Sequence, residues 1–166
     1  AGRMTPLRGF LHPYQKRIKD EIIDKISKRI PRVMVQMPTG SGKTVTALEA
    51  AIDIYRQPFY KGFIVWLVDS NELAEQALES FKSLWILKGD QPLKVHRLFG
   101  GFSPSFDRET GGFVFASFST LWSVLSDTSH ANFAKVRGLI KSTDLLIVDE
   151  AHTSIAETYE QVIRKF

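Results

Sequence analysis

Met37-Pro-Thr-Gly-Ser-Gly-Lys-Thr44 is the stretch on which the fold turns. Arg32-Val-Met-Val-Gln-Met37 leads into it as a short run of strand character, and the residues from Lys43 to Arg56 follow with apolar positions at helical spacing. A strand, a glycine-bearing turn and a helix in that order provide the setting a phosphate-binding loop needs. Gly40 and Gly42 allow the backbone to turn tightly and to come close to phosphate oxygens. Successive backbone N–H groups of Pro38, Thr39, Gly40, Ser41 and Gly42 would then line a cradle, apart from the proline, which has none. The helix N-terminus adds partial positive charge to it. Lys43 is the side chain that reaches β- and γ-phosphates, and the Thr44 hydroxyl is the one offered to Mg2+. The generic pattern has a glycine where this chain has Met37, so its first position is not met.

The second informative stretch is Leu145-Leu-Ile-Val-Asp-Glu-Ala-His152. Four apolar residues end in two carboxylates. In a parallel sheet this puts Asp149 and Glu150 at the C-terminal edge of a strand, where ligands bind. Asp149 is the candidate Mg2+ ligand, directly or through water, and Glu150 the candidate base for an attacking water. Alone, such a strand end is a strand meeting solvent. The pair lies 106 positions after Lys43, and the two elements fit neighbouring strands of one sheet that share one metal.

Outward from these motifs, apolar runs alternate with helical patterns, which specifies an α/β domain on a parallel sheet. Strands are expected at 63–68, 93–98, 113–117 and 145–148. A first helix is expected from Pro13 to Ile30, with Ile18, Ile22, Ile26 and Ile30 on one face. Another follows the N-cap candidates Asp69, Ser70 and Asn71, with Leu73, Ala77, Phe81, Leu84 and Trp85 facing the core. Shorter helices are expected over 120–125 and 132–140, and a last one over 154–165. The 166 residues suit one domain, with 43% apolar and 24% charged positions. No apolar run approaches the roughly 20 residues of a membrane span. The chain has no cysteine, which excludes disulfides, thiolate nucleophiles and Cys-type metal sites and fits a reducing, cytoplasmic setting. The net charge of +4 permits a phosphate-rich partner without requiring one. His96 and His130 have no ligand-spaced partner, the cations of the first helix read as a solvated face, and Trp66, Trp85 and Trp122 read as core. Phe102 and Phe106 are the first aromatics to test for base contact.

Together the phosphate loop and the acidic strand end resemble the superfamily 2 helicases and translocases, whose DEAH box is spelled by Asp149-Glu150-Ala151-His152. The resemblance runs from about Leu7 to Ile163 and is nearest to the motor subunits of type I and type III restriction enzymes, where a Thr-Tyr pair like Thr158-Tyr159 often follows the box. It implies a RecA-like P-loop NTPase domain with helices on both faces of the sheet, ATP and Mg2+ as cofactors, and nucleic acid as partner, DNA ahead of RNA. His12-Pro-Tyr-Gln15 is similar to the family's Q motif, which makes Gln15 the implied adenine contact, with His12 standing where the family usually has arginine. The segment from Val65 to Gln76 is similar to motif Ia, Phe99-Gly-Gly101 to a glycine-bearing strand contact, and Ala116-Ser-Phe-Ser-Thr120 to motif Ib. By that likeness Ser70, Asn71, Gly101 and Thr120 are the implied nucleic-acid contacts, and His152 couples the two sites.

The family's Ser-Ala-Thr segment, its second RecA-like domain and the arginine finger do not follow before Phe166. The expectation is therefore a single domain over 1–166, a piece of a larger motor that is nearly inactive by itself. Three functions stay open: a helicase or translocase, a duplex sensor that uses ATP without unwinding, and a P-loop ATPase with no nucleic-acid role.

Overall fold

The strand Phe63–Val68 is buried at all six positions, as is Gly112–Ser117. Continuous burial of this kind arises when a sheet is covered on both faces, and it explains why these strands read as unbroken apolar runs rather than alternating ones. The computed structural model describes residues 20, 21, 24, 33–37, 43–57, 60, 62–88, 93–100 and 111–149. In chain order the elements are β1 (Val33–Met37), α1 (Lys43–Tyr55), β2 (Phe63–Val68), α2 (Asn71–Lys88), β3 (Val95–Leu98), β4 (Gly112–Ser117), α3 (Phe118–Leu125), α4 (Phe133–Lys141) and β5 (Thr143–Asp149). The five strands form one sheet in the order β1-β5-β2-β4-β3, and every neighbouring pair is parallel. All strand C-termini therefore lie along one edge.

Residues alternate between the faces with the two-residue period of a strand. Ile64, Trp66 and Val68 of β2, Phe113 and Phe115 of β4, and Leu145 and Ile147 of β5 meet Leu48 and Ile52 of α1 and Ala74, Leu78 and Phe81 of α2. Phe63, Val65, Leu67, Val114, Ala116, Leu146 and Val148 face the other way, onto Leu121 and Val124 of α3 and Val136, Leu139 and Ile140 of α4. The architecture is α/β with helices on both faces. Phe81 anchors the first layer, its ring centroid 4.5 Å from Phe113 and 5.3 Å from Phe115.

The expected strands and helices are present where they fall among the described residues, with shifted bounds. The third strand starts at Val95 instead of Leu93, and α3 starts at Phe118 instead of Thr120. Leu73 is 37% exposed, because Ala74 one residue later takes the inward position with Ala77 and Leu78. Trp66 is fully buried, whereas Trp85 and Trp122 are half-buried against the two core layers. Asp20, Glu21 and Asp24 are helical and exposed; the rest of the expected first helix, the loop phenylalanines Phe102 and Phe106, and the final helix lie outside the described residues.

The edge opposite the strand C-termini is crowded. Gly112 has φ +140°, and a Cβ there would fall 2.7 Å from the Lys94 carbonyl oxygen, which also accepts a hydrogen bond from the Phe113 N–H. At Gly62 a Cβ would fall on the Asp144 carboxylate. Gly112→Ala combines a backbone conformation that side chains rarely adopt with a clash against main chain, and should lower stability by about 2 kcal/mol, read from the denaturant midpoint.

His96 of β3 is half-buried with its ring edge-on to Phe63, centroids 6.0 Å apart. Burial, and then the nearby Lys94 ammonium, push its pKa below the ordinary 6.5. The fold thus favours neutral His96. The unfolded chain takes up the proton first, so this contribution is complete above the ordinary pKa and is lost as pH falls through the folded one. The unfolding midpoint should drop as pH falls below the ordinary 6.5, and His96→Gln should flatten that slope.

Candidate active site

β1 and β5 are adjacent, with Met37 opposite Asp149 in the register. Parallel neighbours lie about 4.8 Å apart, so the backbone entering the phosphate-loop sequence and the backbone bearing the first acid of the box leave the sheet side by side. α1 opens at Lys43, with Thr44 as its second residue. The expectation that the two motifs occupy neighbouring strands is met, and the register is tighter than spacing alone could specify. His12, Gln15, Pro38, Thr39, Gly40, Ser41, Gly42, Gly101, Glu150 and His152 lie outside the described residues.

The same register row continues across the sheet. Asp149 is opposite Val68 of β2, and Val68 is opposite Ser117 of β4. β2 and β4 each run on into a helix, so α2 and α3 start from this edge. Ser70, two residues past Val68, caps α2: its Oγ accepts a hydrogen bond from the Leu73 N–H at 3.2 Å. Asn71 opens that helix and is exposed. Of the three candidates for this cap, Ser70 is the one whose side chain does the capping.

Ser117 is fully buried and extended, with φ −93° and ψ 145°, and it caps α3. Its Oγ accepts from the Thr120 N–H at 3.3 Å and donates to the Thr120 Oγ1 at 2.9 Å. Thr120 is half-buried, and because its hydroxyl oxygen already accepts from Ser117, its own proton is left to donate elsewhere. The sequence reading named Thr120 but passed over Ser117, whose signal is a hydroxyl residue at the junction of strand and helix. It also passed over Glu49, a carboxylate of α1 that is buried at 2% exposure.

The sequence profile of the family described as "Type III restriction enzyme, res subunit" matches residues 9–166. The chain belongs to this family. It is a superfamily 2 helicase-like ATPase domain of RecA-like fold. It is 31% identical over 165 residues to "Putative ATP-dependent helicase IRC3" of Saccharomyces cerevisiae, covering 94% of this chain and 21% of that one. It is 28% identical over 130 residues to "Putative helicase 22" of a Sulfolobus islandicus filamentous virus, covering 78% of this chain and 21% of that one. The chain thus spans about a fifth of the length of either relative. Among the described residues of this res-subunit family member, no helix is long and apolar enough to cross a membrane.

Ser117 ties the strand end to the helix that follows. Ser117→Ala removes a buried acceptor that the Thr120 N–H needs and a donor to its hydroxyl, and should cost about 1–2 kcal/mol in thermal or denaturant unfolding. Ser117→Thr retains the hydroxyl and should recover part of that loss.

Proposed function

We propose that this chain is the nucleotide-binding domain of a nucleic-acid-dependent motor, which uses Mg2+-bound ATP to drive movement on, or remodelling of, a nucleic acid. The observation that carries this reading is the register of Met37 against Asp149 with α1 opening at Lys43, in a member of a helicase-like family. That register supports a reading in which the glycine-bearing loop sequence after β1 and the acid at the end of β5 would serve one Mg2+-bound triphosphate. Lys43 neutralises charge on the β- and γ-phosphates, and the backbone of Pro38, Thr39, Gly40, Ser41 and Gly42 holds the phosphate oxygens. Thr44 and Asp149 are the residues that would hold Mg2+, which supplies charge neutralisation on the phosphates when bound. Glu150 orients a water and accepts its proton. Gln15 contacts the adenine edge beside His12, and His152 links the nucleotide to the strand-binding residues.

Nucleic acid is gripped where α2 and α3 begin, through Ser70, Asn71 and Thr120, and also through Gly101, with DNA the favoured track. The donating hydroxyl of Thr120 and the exposed start of α2 support backbone contact of this kind. A second RecA-like domain of the whole protein completes the site and brings an arginine. Such an arginine is worth about 10³–10⁵ in rate, so the single domain of residues 1–166 hydrolyses ATP slowly by itself. The absence of cysteine suits action in the cytoplasm.

Calorimetric titration of the chain with Mg2+-ATP should give weak, saturable binding that Lys43→Ala removes and Asp149→Asn weakens only when Mg2+ is present. Unchanged affinity in the Lys43 variant would refute the site. In the whole protein, ATPase that nucleic acid stimulates, together with strand separation or translocation, supports the motor. Stimulation without either of those identifies an ATP-dependent duplex sensor instead.

A further inference from the structure

Phe133-Ala-Lys-Val-Arg-Gly-Leu-Ile-Lys141 forms α4. Val136, Leu139 and Ile140 are buried in the second core layer, which fixes the opposite side of the helix outward. At about 100° per residue, that outward arc runs from Arg137 and Lys141 across Ala134 and Gly138 to Lys135. Lys135, Arg137 and Lys141 are all exposed, and α4 contains no acid.

Among the described residues none of these three cations makes an ion pair, in contrast to Lys82 with Glu79 at 3.3 Å and Arg97 with Glu75 at 3.5 Å. Asp127 is the one acid in the turn before α4, and its Oδ1 is committed to the Ser129 N–H at 3.0 Å and Oγ at 2.6 Å. Arg137 lies over the Phe133 ring, 5.9 Å from its centroid, a contact that leaves its N–H edges open. The helix gains little from this arrangement. Lys135 sits in the first turn, where the macrodipole disfavours a cation, and Arg137 and Lys141 are a like-charged pair one turn apart. Only Lys141, in the last turn, is favoured by the dipole.

We infer that the outward face of α4 is a contact for the phosphate backbone of a nucleic acid, at which Lys135, Arg137 and Lys141 take up to three phosphates. The charges that disfavour one another in the free helix are complementary to a polyanion. Ala134 and Gly138, lying between the cations on the arc, leave room for a backbone to approach with positive charge on both sides. No amide or aromatic side chain lies on the arc to read a base, so the contact is independent of sequence. The inference rests on the reading that this helicase-like domain engages nucleic acid; it is separate from the nucleotide site and from the residues assigned to strand contact above.

The test is equilibrium binding of a fluorescently labelled mixed-sequence DNA duplex to the unaltered chain and to the combined Lys135→Gln, Arg137→Gln and Lys141→Gln variant over a range of salt. Circular dichroism melting of both should coincide. The variant should bind at least roughly tenfold more weakly at low salt, and its slope of log affinity against log salt should be shallower by about 2 to 3. Its Mg2+-ATP affinity should match that of the unaltered chain. Equal affinity and equal slope in the variant would overturn the α4 contact and leave the motor reading standing. Loss of binding to poly-glutamate with duplex binding retained would also overturn it, in favour of an acidic protein segment. Failure of the unaltered chain to bind any nucleic acid at low salt would overturn the α4 contact, while the motor reading is decided separately by nucleic-acid stimulation of the whole protein's ATPase.

Discussion

Parallel pairing of β1 with β5, and of β5 with β2, is the constraint on which the remaining organisation depends. A sheet with every neighbour parallel has all its strand C-termini on one side, so each strand must return through a crossover, and each helix that follows a strand begins at that same side. Insertion of β5 between β1 and β2 then does something no local sequence rule can do. It sets a residue 106 positions downstream of Lys43 directly against the end of the strand that leads to it. The row Met37, Asp149, Val68, Ser117 is one line across four strands, and four of the motifs read from the sequence each include one of its residues.

Holding that line requires a sheet that cannot slip. A shift of one residue would turn Ile64, Trp66 and Val68 from the α1 and α2 layer into the α3 and α4 layer, where the space is shaped for Phe63, Val65 and Leu67. Packing of Phe81 onto both Phe113 and Phe115 adds a check on the β4 register from above. At the far edge, the tight approach of Lys94 to Gly112 and of Asp144 to Gly62 fixes where β4 and β2 begin. Close packing at that edge thus helps to set the register at the edge of the strand C-termini.

Most of this fold is legible in the sequence because buried parallel strands and phosphate loops leave dense local signals. Phe63–Val68 is readable as a strand from composition alone, and its bounds are those of β2. Strand order is not readable: it is a property of long-range pairing, and the motifs require only that two strands be neighbours. The errors made from sequence are errors of phase. Leu73 and Ala74 both fit an apolar face, and the choice between them depends on how α2 is rotated against Phe113 and Phe115, which no periodicity count contains. The α4 cations were legible as letters but not as a face, since Lys135, Arg137 and Lys141 become one surface only when Val136, Leu139 and Ile140 are known to point inward.

The three helices that start at the edge of the strand C-termini differ in what precedes them. Ser70 and Ser117 spend their hydroxyl oxygens on N–H groups of α2 and α3, so part of the donor capacity at those two helix starts is met from within. The residue before α1 is Gly42, which has no side chain with which to cap. Glycine in place of a capping serine costs a helix start only about a few tenths of a kcal/mol. An anion at such a start can supply the acceptors that a side-chain cap would otherwise provide. Glycine before α1, against serine before α2 and α3, suits the proposed placement of a triphosphate at the α1 end of the edge. At the other two starts a side-chain hydroxyl is already engaged with the helix, and Thr120 is held by Ser117 with its own proton free to give.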